Sequence, residues 1–230
     1  MKAKKLLFVS LFINTLYMLP LQAQDWANLA YFSEANAALS ASGKTGPRVI
    51  FMGNSITKGW PEFVPAFWDN PAYINRGISG QTTPQMLVRF RADVLAHRPD
   101  VVVLLAGTND IAGNTGPMTL EETFGHLQSM AALARLQGAE VVLSAVLPVY
   151  DYAWKPGLAP AQKIVRLNGM LRSLAEKEGY GYIDYHSAMA DERMGLKPEL
   201  TYDGVHPNEA GYRVMGPLAE AEIVKALAKK

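Results

Sequence analysis

Two stretches of this chain are almost unbroken in apolar residues, Asp100 to Ala106 (DVVVLLA) and Glu140 to Val146 (EVVLSAV). A strand wetted on one face alternates apolar and polar side chains, whereas a strand covered on both faces reads as a continuous run. Both stretches therefore predict buried strands. Arg48 to Met52 is a shorter run of the same kind, and Tyr73 to Asn75 and Tyr182 to Asp184 are weaker ones. Between the runs the period changes. Pro84 to Ala96 sets Met86, Leu87, Phe90, Val94 and Leu95 on one stripe after a Thr83-Pro84 start, which predicts a helix. Thr119 to Gln137 opens with Thr119 and Glu122 at capping-box spacing and stops at Gly138. Ala161 to Glu178 stops at Gly179, and Asn208 to Ala228 closes the chain. Asp25 to Ser42 reads as an amphipathic helix that Gly43-Lys44-Thr45-Gly46-Pro47 breaks. Strands alternating with helices require crossover connections. The expected fold is a three-layer α/β/α sandwich around a central, mostly parallel sheet of about five strands. Ligands in such sheets bind at the carboxyl ends of the strands, so chemistry is sought just after each apolar run.

The first residues follow another pattern. Lys2, Lys4 and Lys5 precede an apolar run from Leu6 to Leu21, and Leu21-Gln22-Ala23 offers a cleavage site. Residues 1–23 are expected to be a secretory signal peptide and residues 24–230 a single domain, periplasmic or secreted. Cleavage removes three lysines and no acid, which takes the formal net charge from +1 to −2. No later run is long enough for stable membrane insertion. The near-neutral charge gives no footprint for nucleic acid. With no cysteine in 230 residues, disulfides, thiolate metal sites and a cysteine nucleophile are excluded.

Four loop motifs fall where strands end: Gly53-Asn54-Ser55-Ile56-Thr57, Asn75-Arg76-Gly77-Ile78-Ser79-Gly80, Gly107-Thr108-Asn109-Asp110, and Asp203-Gly204-Val205-His206-Pro207-Asn208. Each alone is ordinary turn or cap chemistry. Together they supply acyl transfer. A serine hydroxyl needs a histidine to take its proton, and the histidine needs a carboxylate to hold its tautomer. Asp203 and His206, three residues apart, suit one tight turn. The amides of Ser55 and Gly80 and the side chain of Asn109 are candidate oxyanion donors.

These motifs, in this order, resemble the conserved blocks of the SGNH hydrolases, also called GDSL esterases and lipases. The resemblance implies a Ser55, His206 and Asp203 triad, an oxyanion hole of Ser55, Gly80 and Asn109, and an SGNH/flavodoxin-like sandwich. The chemistry needs no cofactor, and no histidine–carboxylate cluster in the sequence has the ligand spacing of a metal site. One departure is Asn54, where the family usually carries an aspartate that is not a triad member. The first turn lacks G-x-G-x-x-G, so a dinucleotide enzyme is disfavoured. Of the other histidines, His97 reads as a helix-end residue complementing the dipole, His126 as a partly exposed surface residue, and His186 as a residue at the end of a weak strand, with His206 favoured over it for the site; Asp110 reads as a turn former.

Substrate choice is less legible. Trp60, Phe63 and Trp68 follow the first motif, and Tyr150, Tyr152 and Trp154 follow the fourth strand. Loop aromatics at this edge stack on sugars or grip acyl chains, or simply pack the loops down. Trp60, Tyr150, Tyr152 and Trp154 are the expected substrate contacts. The expected partner is a small-molecule or polysaccharide acyl ester, and the expected activity is an exported esterase for acetyl or other short-chain esters, on carbohydrate. A lysophospholipase or thioesterase-like acylhydrolase, or a non-catalytic carbohydrate-binding module on the same fold, are the alternatives.

Overall fold

Val49–Gly53 (β1), Tyr73–Gly77 (β2), Val101–Leu105 (β3), Glu140–Ser144 (β4) and Gly181–Ile183 (β5) form one sheet in the order β2-β1-β3-β4-β5, every neighbouring pair parallel. The computed structural model describes residues 25–230, so the expected signal peptide lies outside the described residues. Alternate side chains of each strand enter opposite cores. Ile50, Met52, Val102, Leu104, Val141 and Leu143 face one layer. Its helices are Thr83–Asp93 (α3), Leu120–Leu136 (α5) and Pro160–Glu178 (α6). Val49, Phe51, Val101, Val103, Leu105 and Val142 face the other, packed by Ser55–Phe63 (α2), Tyr185–Met189 (α7) and Glu209–Leu227 (α8). Burial of a large apolar side chain contributes about 1.5–3 kcal/mol, so two filled cores explain the continuous apolar runs.

Helix ends follow the local chemistry. Thr119 N donates to Glu122 Oε2 at 2.8 Å and Glu122 N to Thr119 Oγ1 at 3.1 Å, closing the expected box at the start of α5. Gly179, at φ +71°, ends α6. The N-terminal helix is shorter than expected. Only Ser33–Ala41 (α1) is helical, and none of its residues is buried. Upstream, the Asp25 carboxylate accepts from the amides of Leu29 and Ala30, and Asn28 takes a left-handed φ of +55°. A local carboxylate thus captures amides that a continuous helix needs. The strands agree with expectation to within two residues at each end.

The sheet order places β1 between β2 and β3, so the chain leaves β1 in one direction and later returns past it. The carboxyl ends of β1 and β3 therefore flank a topological switch point, the crevice in which such sheets bind ligands. Ser55 follows β1. Asn109 follows β3 in the short helix Thr108–Ile111 (α4).

Candidate active site

Ser55 sits at the first position of α2, which begins almost directly on β1. Gly53 permits this junction, since a Cβ there would lie 2.1 Å from Thr57 Oγ1 and 2.9 Å from the Leu105 carbonyl. Asn54 Oδ1 accepts from Ile56 N at 3.0 Å, so asparagine performs the capping here. Being at the helix start, the Ser55 amide has no acceptor within the described residues, and Ser55 lines the crevice.

The partner group arrives on the turn before α8. Ser55 Oγ lies 2.9 Å from His206 Nε2, and His206 Nδ1 lies 2.7 Å from Asp203 Oδ2. The other carboxylate oxygen accepts from the amides of His206 at 2.7 Å and Val205 at 2.9 Å. Thr201 Oγ1 donates to the His206 carbonyl at 2.6 Å and accepts from Gly204 N at 2.9 Å, while Gly204 takes φ +84°. Burial alone would raise the Asp203 carboxyl. The hydrogen bonds from His206 and Val205 outweigh it and hold the group below its ordinary value. An ionised Asp203 fixes the proton on Nδ1, which leaves Nε2 free to accept from Ser55.

The three candidate oxyanion donors converge from separate elements. The Gly80 amide, like that of Ser55, has no acceptor among the described residues. Gly80 takes φ +76°, a left-handed conformation that favours glycine. A Cβ there would meet no atom within 4 Å, so backbone conformation rather than crowding by the protein explains the glycine. Asn109 Nδ2 donates one hydrogen to the Gln81 carbonyl at 2.9 Å, which orients the second.

These groups line a cavity of about 520 Å³ with Lys58, Glu62, Phe63, Asn114, Trp154 and Tyr202. Two of the four expected substrate contacts are structural instead. Trp60 is 2% exposed, stacks on Phe67 and Tyr212 and meets Phe51 and Trp68 edge-on, because its position on α2 faces the sheet. Tyr152 is fully buried, and its hydroxyl donates to the Thr108 carbonyl at 2.8 Å. Tyr150 is exposed but lines a separate cavity of about 310 Å³ with Arg193, whose guanidinium covers its ring at 4.8 Å. Trp154 does reach the main cavity, its ring 6.5 Å from that of His206. Sequence reasoning missed Tyr202, which is exposed and stacks on His206. Its place immediately before Asp203 was the available signal.

His97 also differs from expectation. It is 2% exposed, and burial, with Arg76 and Arg48 nearby, pushes its pKa down, so it is not a cation at a helix end. His126 Nδ1 lies 3.0 Å from Thr83 Oγ1. Asp110 is buried and accepts from Thr83 N at 2.9 Å and Thr83 Oγ1 at 2.5 Å, so it ties α4 to the start of α3. Among the described residues no three His, Asp or Glu side chains converge as a metal site.

The model of the GDSL-like lipase/acylhydrolase family matches residues 51–214. The chain belongs to that family. As an SGNH hydrolase it is a carboxylic ester hydrolase. A solved GDSL-like lipase from Bacteroides thetaiotaomicron is 42% identical with a TM-score of 0.84, covering 87% of this chain and 98% of its own. An acetylxylan esterase from Geobacillus stearothermophilus is 26% identical over 147 residues, 62% of this chain and 67% of the relative. Another, from Xylanibacter ruminicola, is 26% identical over 213 residues, 76% of this chain. This SGNH hydrolase spans 43% of that relative's length. No helix among the described residues is long and apolar enough to cross a membrane.

Proposed function

We propose that this SGNH hydrolase is an exported, single-domain esterase that removes acetyl or other short acyl groups from carbohydrate. Ser55 Oγ attacks the ester carbonyl as His206 Nε2 takes its proton. Asp203 holds the imidazole and balances its charge. The carbonyl oxygen becomes an oxyanion received by the amides of Ser55 and Gly80 and by Asn109 Nδ2. Collapse breaks the bond to the alcohol, which leaves with the proton from His206. Water, deprotonated by His206, then attacks the acyl-serine and releases the carboxylic acid, restoring Ser55.

The observation that carries the substrate choice is the make-up of the cavity wall. Tyr202, Trp154 and Phe63 line the cavity together with Lys58, Glu62, Ser79 and Asn114. Sugars present both a hydrophobic ring face and hydroxyls, and this mixture matches them, whereas a long acyl chain calls for a continuous apolar groove. The two acetylxylan esterase relatives support the same choice.

Acetate release from acetylated xylan, measured beside a series of p-nitrophenyl esters of increasing acyl length, tests the proposal. Acetate release and a preference for the shortest esters are expected. Preference for chains of eight or more carbons, without acetate release, would replace it with a lysophospholipase or thioesterase-like activity.

A further inference from the structure

Arg89 lies on α3, and none of its side chain is exposed. A guanidinium so placed must be neutralised and hydrogen-bonded, because an uncompensated buried charge is strongly destabilising. Asp93, one turn on and equally buried, neutralises it, with Nη1 2.9 Å from Oδ2. That contact occupies only one part of the group. Nε donates to Gln81 Oε1 at 2.5 Å, and Nη2 donates to the carbonyls of Arg76 at 2.8 Å and Gly53 at 3.3 Å.

The three acceptors are the anchors of the candidate oxyanion donors. Gly53 ends β1, two residues before Ser55. Arg76 belongs to the end of β2, which leads to Gly80. Gln81 follows Gly80 directly, and its own carbonyl receives the Asn109 amide. One rigid planar group therefore joins the segments carrying Ser55 and Gly80 and, through Gln81, the residue that holds Asn109, yet Arg89 is not among the residues lining the cavity. Gln81 is held from its other side too, since its Nε2 donates to the Ala27 carbonyl at 2.8 Å.

We infer that Arg89 is a positioning residue of the oxyanion hole, acting through Gln81 and the Gly53 carbonyl without touching substrate. The inference rests on Ser55, Gly80 and Asn109 being the oxyanion donors. Lysine retains the charge opposite Asp93 but cannot reproduce the fork, so Arg89→Lys separates pairing from positioning. Gln81→Met keeps the Arg89–Asp93 pair and removes one arm, which covers the case in which Arg89→Lys does not fold.

The experiment is steady-state hydrolysis of p-nitrophenyl acetate, with rates referred to active sites titrated by an organophosphate. Arg89→Lys and Gln81→Met are expected to lower kcat by about tenfold or more, with KM within roughly threefold, a smaller loss than removing a donor outright. In an Asn109→Ala background the loss from Arg89→Lys should shrink, because both act on one hole. Undiminished kcat per site in both variants overturns the inference. So do losses that multiply independently with Asn109→Ala. The Asn109→Ala variant alone separates the two levels. If it keeps full kcat, the oxyanion assignment fails and the inference falls with it; if it loses kcat while Arg89→Lys does not, only the role of Arg89 fails.

Discussion

The rings of Tyr202 and His206 lie 5.7 Å apart and within 8° of parallel, and Tyr202 stacks in turn on Phe63 at 6.0 Å. One tight turn thus carries an aromatic wall, the carboxylate of Asp203 and the imidazole that bridges to Ser55. Aromatic pairs contribute about 0.5–1.5 kcal/mol beyond their burial. Tyr202→Ala is therefore expected to lower kcat/KM by roughly 2- to 12-fold. Steady-state kinetics on a short-chain ester check this, and an unchanged kcat/KM would show that the stack has no part in turnover.

Asp203→Asn probes the triad with the turn preserved. An asparagine Oδ1 still accepts from the amides of Val205 and His206, but its Nδ2 meets His206 Nδ1 as a donor and forces the wrong tautomer. In a serine protease the corresponding change lowers kcat about 10⁴-fold. A loss of at least about 10²-fold with an unaltered thermal midpoint is expected here by the same logic. Retention of wild-type kcat would remove Asp203 from the mechanism.

Asn109→Ala deletes the side-chain oxyanion donor while leaving the amides of Ser55 and Gly80. A fall in kcat of about 10²–10³ is expected, with little change in KM, since the bond strengthens only in the transition state. An intact kcat with a raised KM would instead assign Asn109 to ground-state binding.

His97 links stability to pH. Its Nε2 lies 3.0 Å from Asn36 Oδ1, which also accepts from Arg76, so the ring is held neutral with Nδ1 buried and unpartnered. Burial, then Arg76, lowers its folded pKa below the ordinary 6.5. The unfolded chain binds this proton first as pH falls, so the stability involved is present above about pH 6.5 and is lost progressively below it. His186, also lowered by burial, acts in the same direction. Thermal midpoints between pH 7.5 and pH 5 should fall less steeply in His97→Gln than in wild type. Parallel slopes would exclude His97 as a contributor.

Trp60 tests the reassignment of an aromatic from substrate contact to core. Trp60→Ala is expected to cost about 3–5 kcal/mol of stability through the cavity it leaves among Phe51, Phe67, Trp68 and Tyr212. At temperatures where the variant stays folded, KM should hold within about twofold. A large rise in KM with undiminished stability would return Trp60 to the substrate.

Much of the architecture was legible in the chain because it depends on local pattern. The unbroken runs at Val101–Leu105 and Val141–Leu143 require cover on both faces, and that requirement implies the parallel sheet, its helices and its functional edge. Ser55, Asp203 and His206 were legible for a related reason, since each lies in a short motif just past a strand or before a helix. Tertiary structure alone decided the rest. Trp60, Tyr152 and Trp154 are all aromatics that follow a strand, yet the first two are buried and the third reaches the cavity, because exposure depends on which face of α2 or of the 150–159 loop meets the body. Tyr202 acquires a role only when the turn before α8 folds its ring onto His206, and Arg89 only when β1, β2 and the Gly80–Gln81 loop close around it. Sequence spacing constrains neighbours within a turn or a helix; contacts between residues 36 or 151 positions apart, such as Arg89 with Gly53 or Ser55 with His206, exist only after long-range packing has chosen which surfaces meet.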